Sequence, residues 1–269
     1  MTESTRKGIS AAVLKNIAVL TMTIDHVTAY LLKDYLYSQG IRDLYSNGWY
    51  FAGRVVGRIA FVLYAFMIAE GAIRTQNKVK YAARLFILAI ISTVPHSYLT
   101  AKKPFDPNNM NIFFLLSLGL LLIYAYEWLR DNIENRALSI AARLAAAAAA
   151  SFIALQFNFE YGMMGVLLIL AFYIWRYNTS GMVISVILVM SVGYMLNTVL
   201  HSGAVRWVTN HSTDLLNAFI RTDRIQIFGL LALPFILLYN GNKGRQLPKL
   251  FYYLYYPVHL GIIALILYL

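Results

Sequence analysis

The sequence predicts an all-α polytopic bundle of transmembrane helices, about nine spans, with the N-terminus inside. Three observations predict it. The 269-residue chain is 59% hydrophobic and 13% charged, against roughly 45–50% and about 25% in soluble globular proteins. Its apolar residues fall in long blocks, and a helix needs about 20 mainly apolar residues to cross the hydrocarbon core. Its 23 lysines and arginines divide unequally between alternate connections, as an excess of positive charge on cytoplasmic loops requires.

The blocks run at 11–32, 49–73, 85–101, 112–129, 138–157, 162–175, 181–200, 225–239 and 250–269. The sixth and eighth are short, as tilted or broken spans are. With the N-terminus inside, fourteen basic residues fall in inner segments (Arg6, Lys7, Lys15, then the groups 74–84, 130–143, 176 and 243–249) and seven in outer ones. Arg54 and Arg58 lie inside a span. Nine crossings place the C-terminus outside; an eight-crossing arrangement places it inside. The net charge of +11 therefore reads as a topology signal, and no nucleic-acid partner is expected. Aromatic residues at 14% exclude disorder, and the absence of cysteine excludes disulfides, thiolate zinc sites and a cysteine nucleophile. The first span, which carries Asp25 and His26 and lacks a small-residue cleavage site, is expected to stay uncleaved. No internal repeat is visible, so residues 1–269 read as one integral membrane domain. The stretch 205–220 mixes Trp207, Leu215, Leu216 and Phe219 with polar residues and is expected to lie on the outer surface. The alanines of 145–150 allow close helix packing.

Ionisable groups inside the hydrocarbon are costly and usually face a bundle interior or a water-filled cavity. Asp25, His26, Arg54 and Arg58 are such groups, with Glu70 and His259 as a second tier. Lys15 and His26 are eleven residues apart, almost three turns, so they share a face and stand about 16 Å apart along the axis. Asp25 lies about 100° around, on a face with Thr21 and Thr28. In span two, Gly53 and Gly57 form a small-residue stripe open to a neighbouring helix, with Arg54 and Arg58 on the adjacent stripe. Span one runs outward and span two inward, so depth counting brings all four polar groups to the outer half. His259 lands near the midplane. Each has a plainer reading: a buried ion pair fixing helix register for Asp25 and the arginines, and a hydrogen-bonded interior histidine for His26. Glu70 is expected at the headgroups or the nearby cations. His96, His201 and His211 receive no role, and the tyrosine-rich run 251–256 reads as an interfacial aromatic belt.

Several segments together carry a resemblance. GRVVGRIAFVLYAFMIAEGAIRT (53–75), KYAARLFILAIISTVP (80–95), LKNIAVLTMTIDHV (14–27), NIFFLLSLGLLL (111–122), YGMMGVLLIL (161–170), LLYNGNKG (237–244) and FYYLYYPVHL (251–260) resemble the TraX family, in order and over nearly the whole chain. The resemblance implies a protein of the bacterial cytoplasmic (inner) membrane. It also implies acetyl transfer from acetyl-CoA to a peptide N-terminus, since the best-known family member acetylates conjugative pilin. The Lys15-x10-His26 spacing is similar to one in acyltransferase-3 membrane enzymes, which O-acylate cell-surface carbohydrates. The chain departs from the family pattern at Ser92-Thr93-Val94-Pro95-His96, where Ser-Glu often precedes the proline and Phe follows it.

Acetyl transfer requires a base, positive charge near the developing oxyanion, and exclusion of water. His26 is the candidate base, because imidazole titrates near neutrality. Arg54 or Arg58 is the candidate oxyanion stabiliser. Asp25 would tune His26 or pair with an arginine, and His259 completes the catalytic set. Lys15, Asn240 and Lys243 are the candidate contacts of the CoA phosphates. No metal is expected. A secondary transporter using the same intramembrane charges, or a non-enzymatic assembly factor, is the competing class.

Overall fold

A computed structural model describes residues 7–193, 196 and 224–268 of the chain. The expected surface stretch 205–220, with His201 and His211, lies outside the described residues. The elements, in order, are α1 (Ala11–His26), a π-helical turn (Val27–Leu32), α2 (Lys33–Ser38), α3 (Gly48–Arg74), α4 (Lys78–Ala101), α5 (Ile112–Asn132), α6 (Arg136–Gln156), α7 (Gly162–Ile174) and α8 (Thr179–Leu188). After a second π turn, Val189–Gly193, the chain resumes with a 3₁₀ segment (Arg224–Ala232), α9 (Leu233–Leu237) and α10 (Lys249–Tyr268). The fold is an all-α membrane bundle. Among the described residues, five helices (α3, α4, α5, α6, α10) are long and apolar enough to cross a membrane, and shorter apolar helices accompany them. The first span read from the sequence, 11–32, is α1 with the π turn.

Helix starts follow a local rule. Asn47, Asn77, Asn111, Asn135 and Asn178 each accept a backbone N–H with the side-chain oxygen at the start of α3, α4, α5, α6 and α8. Each such cap contributes about 1 kcal/mol, and satisfying these donors matters more near lipid, where water is scarce. α1 has no side-chain cap. The 240–244 loop closes its first turn instead: Ala11 N–H donates to the Asn242 carbonyl (2.8 Å) and Ala12 N–H to that of Lys243 (3.1 Å). That contact brings Lys243 beside the first turn of α1.

α3 is the axis of the bundle. It packs against α1, the 3₁₀ segment, α5 and α7, and 61% of its apolar window is buried, against 22% for α6, which therefore sits at the lipid edge. On α6 only one face of the alanine run packs inward, through Ala146, Ala147 and Ala150. On α4 the residues Ile87, Ile90, Ile91 and Val94 are exposed at i, i+3, i+4 and i+7. That stripe is a lipid-facing surface, the reverse of a soluble helix. Trp49, Trp128, Trp175 and Tyr177 are exposed near helix ends, where amphipathic rings meet headgroups.

Candidate active site

Two glycines set the site. A β-carbon on Gly53 would collide with Thr28, and one on Gly57 with Asp25. Their absence lets α1 lie directly on α3, as the stripe of small residues predicts. Asp25 then drops between the two arginines of the next stripe. Its Oδ1 accepts from Arg54 Nη1 at 2.8 Å and its Oδ2 from Arg58 Nη2 at 2.5 Å. Arg58 and Asp25 are 5% and 8% exposed, so this is a buried, double-ended ion pair. Removing either sign from such a set leaves uncompensated charge, at a cost of about 3–5 kcal/mol.

His26, one residue on, points elsewhere and forms no dyad with Asp25. Its Nδ1 meets His259 Nε2 at 2.6 Å, and His259 Nδ1 meets the Tyr255 carbonyl at 2.7 Å. A carbonyl only accepts, so His259 Nδ1 carries a proton. In the neutral ring its Nε2 therefore offers a lone pair, which His26 Nδ1–H fills. The consequence is a fixed tautomer for His26, with a free lone pair on Nε2. The rings of Tyr30 and Tyr256 stand 6.1 and 5.8 Å from it, centroid to centroid.

His26 and Asp25 open onto a cavity of about 560 Å³. Lys15, Arg84, Lys243 and Lys249 line the same cavity, at the end from which α1 starts. None of these four forms an ion pair among the described residues. Lys15 Nζ donates to Gln246 Oε1 at 3.1 Å and lies 5.3 Å from the centre of the Tyr252 ring. Glu70 faces the cavity too, held by Arg74 at 3.0 Å, in line with its expected place among the inner cations.

Two expectations differ from these positions. Asn240 does not line the cavity; its side chain donates to the Gly8 carbonyl and accepts from Asn242 N–H, organising the loop under α1. Arg54 and Arg58 stand behind Asp25 rather than on the cavity wall. The run 251–256 also has an inward face: Tyr252, Tyr253 and Tyr256 line the cavity, and Tyr252 and Tyr255 hydrogen-bond Asn16 and Thr23 of α1. An inward-facing tyrosine stripe fastens α10 to α1 and carries His259 to His26.

Glu160 is the residue that sequence reasoning missed. It sits in the turn between α6 and α7 and faces the cavity beside Tyr161. That turn is strained: Asn158 and Tyr161 have φ of 48° and 64°, in the left-handed region, which side chains other than glycine seldom adopt. It is braced by hydrogen bonds in both directions with Met110, Met110 N–H to the Asn158 carbonyl and Glu160 N–H to the Met110 carbonyl. Burial pushes the Glu160 carboxyl up to about 7, against the opposing pull of Arg58 and Arg54. The available signal was the lone acidic residue in Phe159-Glu160-Tyr161-Gly162, flanked by aromatics. His96, given no role, is also buried on α4, with Nδ1 unpartnered.

A bundle of apolar helices that encloses ionisable side chains around a deep cavity defines a polytopic membrane protein with an intramembrane site. The chain belongs to the TraX family: the family model described as TraX protein matches residues 10–267. It is 27% identical over 258 residues to the "Probable fimbrial assembly protein FimC, serogroup H1" of Dichelobacter nodosus, an alignment spanning 95% of this chain and 94% of that one. No solved structure matches the chain.

Proposed function

We propose that this protein is a membrane acetyltransferase that moves the acetyl group of cytoplasmic acetyl-CoA to an amine at the outer side of the bacterial inner membrane. The observation that carries the reading is one cavity lined at one end by unpaired cations and at the other by His26. From Lys15 to His26 the helical rise gives about 16 Å. The arm of CoA from phosphorus to sulfur is about thirteen bonds, roughly 16 Å when extended like a backbone. Phosphates held at Lys15 and Lys243 therefore leave the thioester beside the imidazole. Family membership and the relative's name, a fimbrial assembly protein, favour the N-terminus of a pilin-type subunit as acceptor.

In the chemical step the acceptor nitrogen attacks the thioester carbonyl. A C–N bond forms, and His26 Nε2 takes the proton that nitrogen sheds. The C–S bond then breaks, and the leaving thiolate takes that proton back. His259 keeps Nε2 of His26 in the basic tautomer throughout. The Asp25–Arg54–Arg58 set carries a net positive charge directly behind the wall, which favours the oxyanion in a water-poor site.

The test uses purified protein in detergent, labelled acetyl-CoA and a membrane extract, with mass identification of what gains the label. The expected result is an acetylated amine. His26→Ala should lower the rate at least about 100-fold while the folded fraction in membranes stays unchanged. Activity retained in that variant removes His26 from the role.

A further inference from the structure

The transfer chemistry described above leaves the Glu160 carboxylate of the cavity unused. Asp25 has both oxygens engaged by arginines. Glu160 lies in no ion pair among the described residues. Ile112, the first residue of α5, lines the same cavity. Around the carboxylate, aromatic faces line the same space. Phe61 and Tyr161 stack at 3.7 Å between centroids, and Phe113 meets Tyr256 edge-on at 5.2 Å. All four rings line the cavity. A carboxylate among aromatic walls matches an ammonium group, which gains charge-assisted hydrogen bonds from the one and cation–π attraction from the other. A hydroxyl acceptor would gain little from either.

We propose that Glu160 and the rings of Phe61, Phe113, Tyr161 and Tyr256 form the acceptor seat, which docks a primary ammonium beside His26. The inference rests on the acetyl-transfer reading and deepens it, by assigning the residues that select an amine over a hydroxyl. An ammonium cannot attack, so it must first lose a proton. Glu160 takes it: an N–H bond breaks and an O–H bond forms. A free α-amine titrates at about 7.7–8.0, close enough to the raised Glu160 carboxyl for that transfer to be nearly balanced. His26 takes the second proton during attack and returns it to the thiolate, so one proton per turnover leaves through Glu160. The charged and titratable groups that interact with Glu160 are Arg58, Arg54 and Asp25 from the α1–α3 pair, Tyr30 from the π-helical turn, its neighbour Tyr161, and Tyr256 from α10. The strained, cross-braced turn fits this role, because it holds a carboxylate at a depth where an ordinary turn would release it to water.

The experiment compares three short apolar peptides of one sequence: one with a free α-amine, one with a hydroxyl in its place, and one with an N-trimethyl group. The first two are acetyl acceptors. The third cannot be acetylated or lose a proton, and serves as a competitive inhibitor. Full-length protein in detergent should acetylate the amine in preference to the hydroxyl. Inhibition by the trimethyl peptide should weaken as pH falls through about 7, as Glu160 is protonated. Glu160→Gln should raise the KM for the amine about 10- to 100-fold, abolish that pH dependence, and leave the KM for acetyl-CoA unchanged. Glu160→Asp should restore part of the affinity. Equal losses for amine and hydroxyl peptides, or an unchanged amine KM in Glu160→Gln, would overturn the seat while leaving acetyl transfer standing. If the substituted proteins fail to fold, a pH-independent inhibition of the wild type overturns it equally. Wild-type protein that acetylates neither peptide, with no labelled product from a membrane extract, overturns the acetyl-transfer reading itself.

Discussion

The two ends of the cavity hold charge in different ways. At the outer end, Asp25, Arg54 and Arg58 are locked to one another and His26 to His259. At the inner end, Lys15, Arg84, Lys243 and Lys249 have no carboxylate partner among the described residues. Locked groups fix geometry, because breaking a buried pair exposes raw charge to a medium that cannot solvate it. Unpaired cations near water are cheap to keep and free to meet a polyanion. A site that must orient one bond and also admit a phosphorylated donor needs both kinds of end, in that spatial order.

Breaking the outer end should have the largest effect. Asp25→Ala leaves two guanidiniums uncompensated and should destabilise the protein by about 3–5 kcal/mol, read as a lowered thermal midpoint in detergent. Losing much less than that would mean that water reaches the arginines and that the locked end is not locked. Gly57→Ala comes next. Its new methyl group meets Asp25, so α1 must shift and activity should fall at least about tenfold, the scale of effect that small misplacements of reacting groups produce. Gly261→Ala on α10 is the control, since a β-carbon there meets nothing within 4 Å, and it should be neutral or stabilising by up to about 1 kcal/mol. At the inner end, reversing Lys243 and Lys249 together to Glu should raise the KM for acetyl-CoA several-fold, more at low salt than at high, with kcat unchanged. A drop in kcat instead would tie the inner cations to the chemistry and erase the contrast between the ends. Asn240→Ala should do least, costing at most about 1 kcal/mol of loop stability and leaving the donor KM alone.

Much of this was legible because the bilayer sets simple tests. Span positions followed block length, and the meeting of Asp25 with Arg54 and Arg58 at one level followed from rise per residue and direction of travel. The glycine stripe at 53 and 57 named the helix face on which the contact falls. What was illegible depended on contacts between distant segments. His26 and His259 are 233 residues apart, and no local spacing predicts that their rings share a proton. Tyrosines at a helix end usually mark the headgroup level, so the inward turn of Tyr252 and Tyr256 could be seen only once α10 had been placed against α1. Glu160 was hidden because a carboxylate in a turn between spans normally reaches water. The brace between Met110 and the 158–160 backbone helps hold it inside. Asn240 misled for the opposite reason: a polar loop residue near cations invites a ligand, but its hydrogen bonds go to Gly8 and Asn242.

The central claim is that a donor entering from the basic end delivers its acetyl group, through the cavity, to an acceptor on the other side. Sealed vesicles carrying the protein in one orientation test it most directly, with labelled acetyl-CoA confined to the side of Lys243 and a membrane-impermeant amine peptide confined to the opposite side. The account predicts labelled peptide across the membrane, lost on His26→Ala while the vesicles stay sealed. Label appearing only on an amine placed on the same side as acetyl-CoA would contradict it.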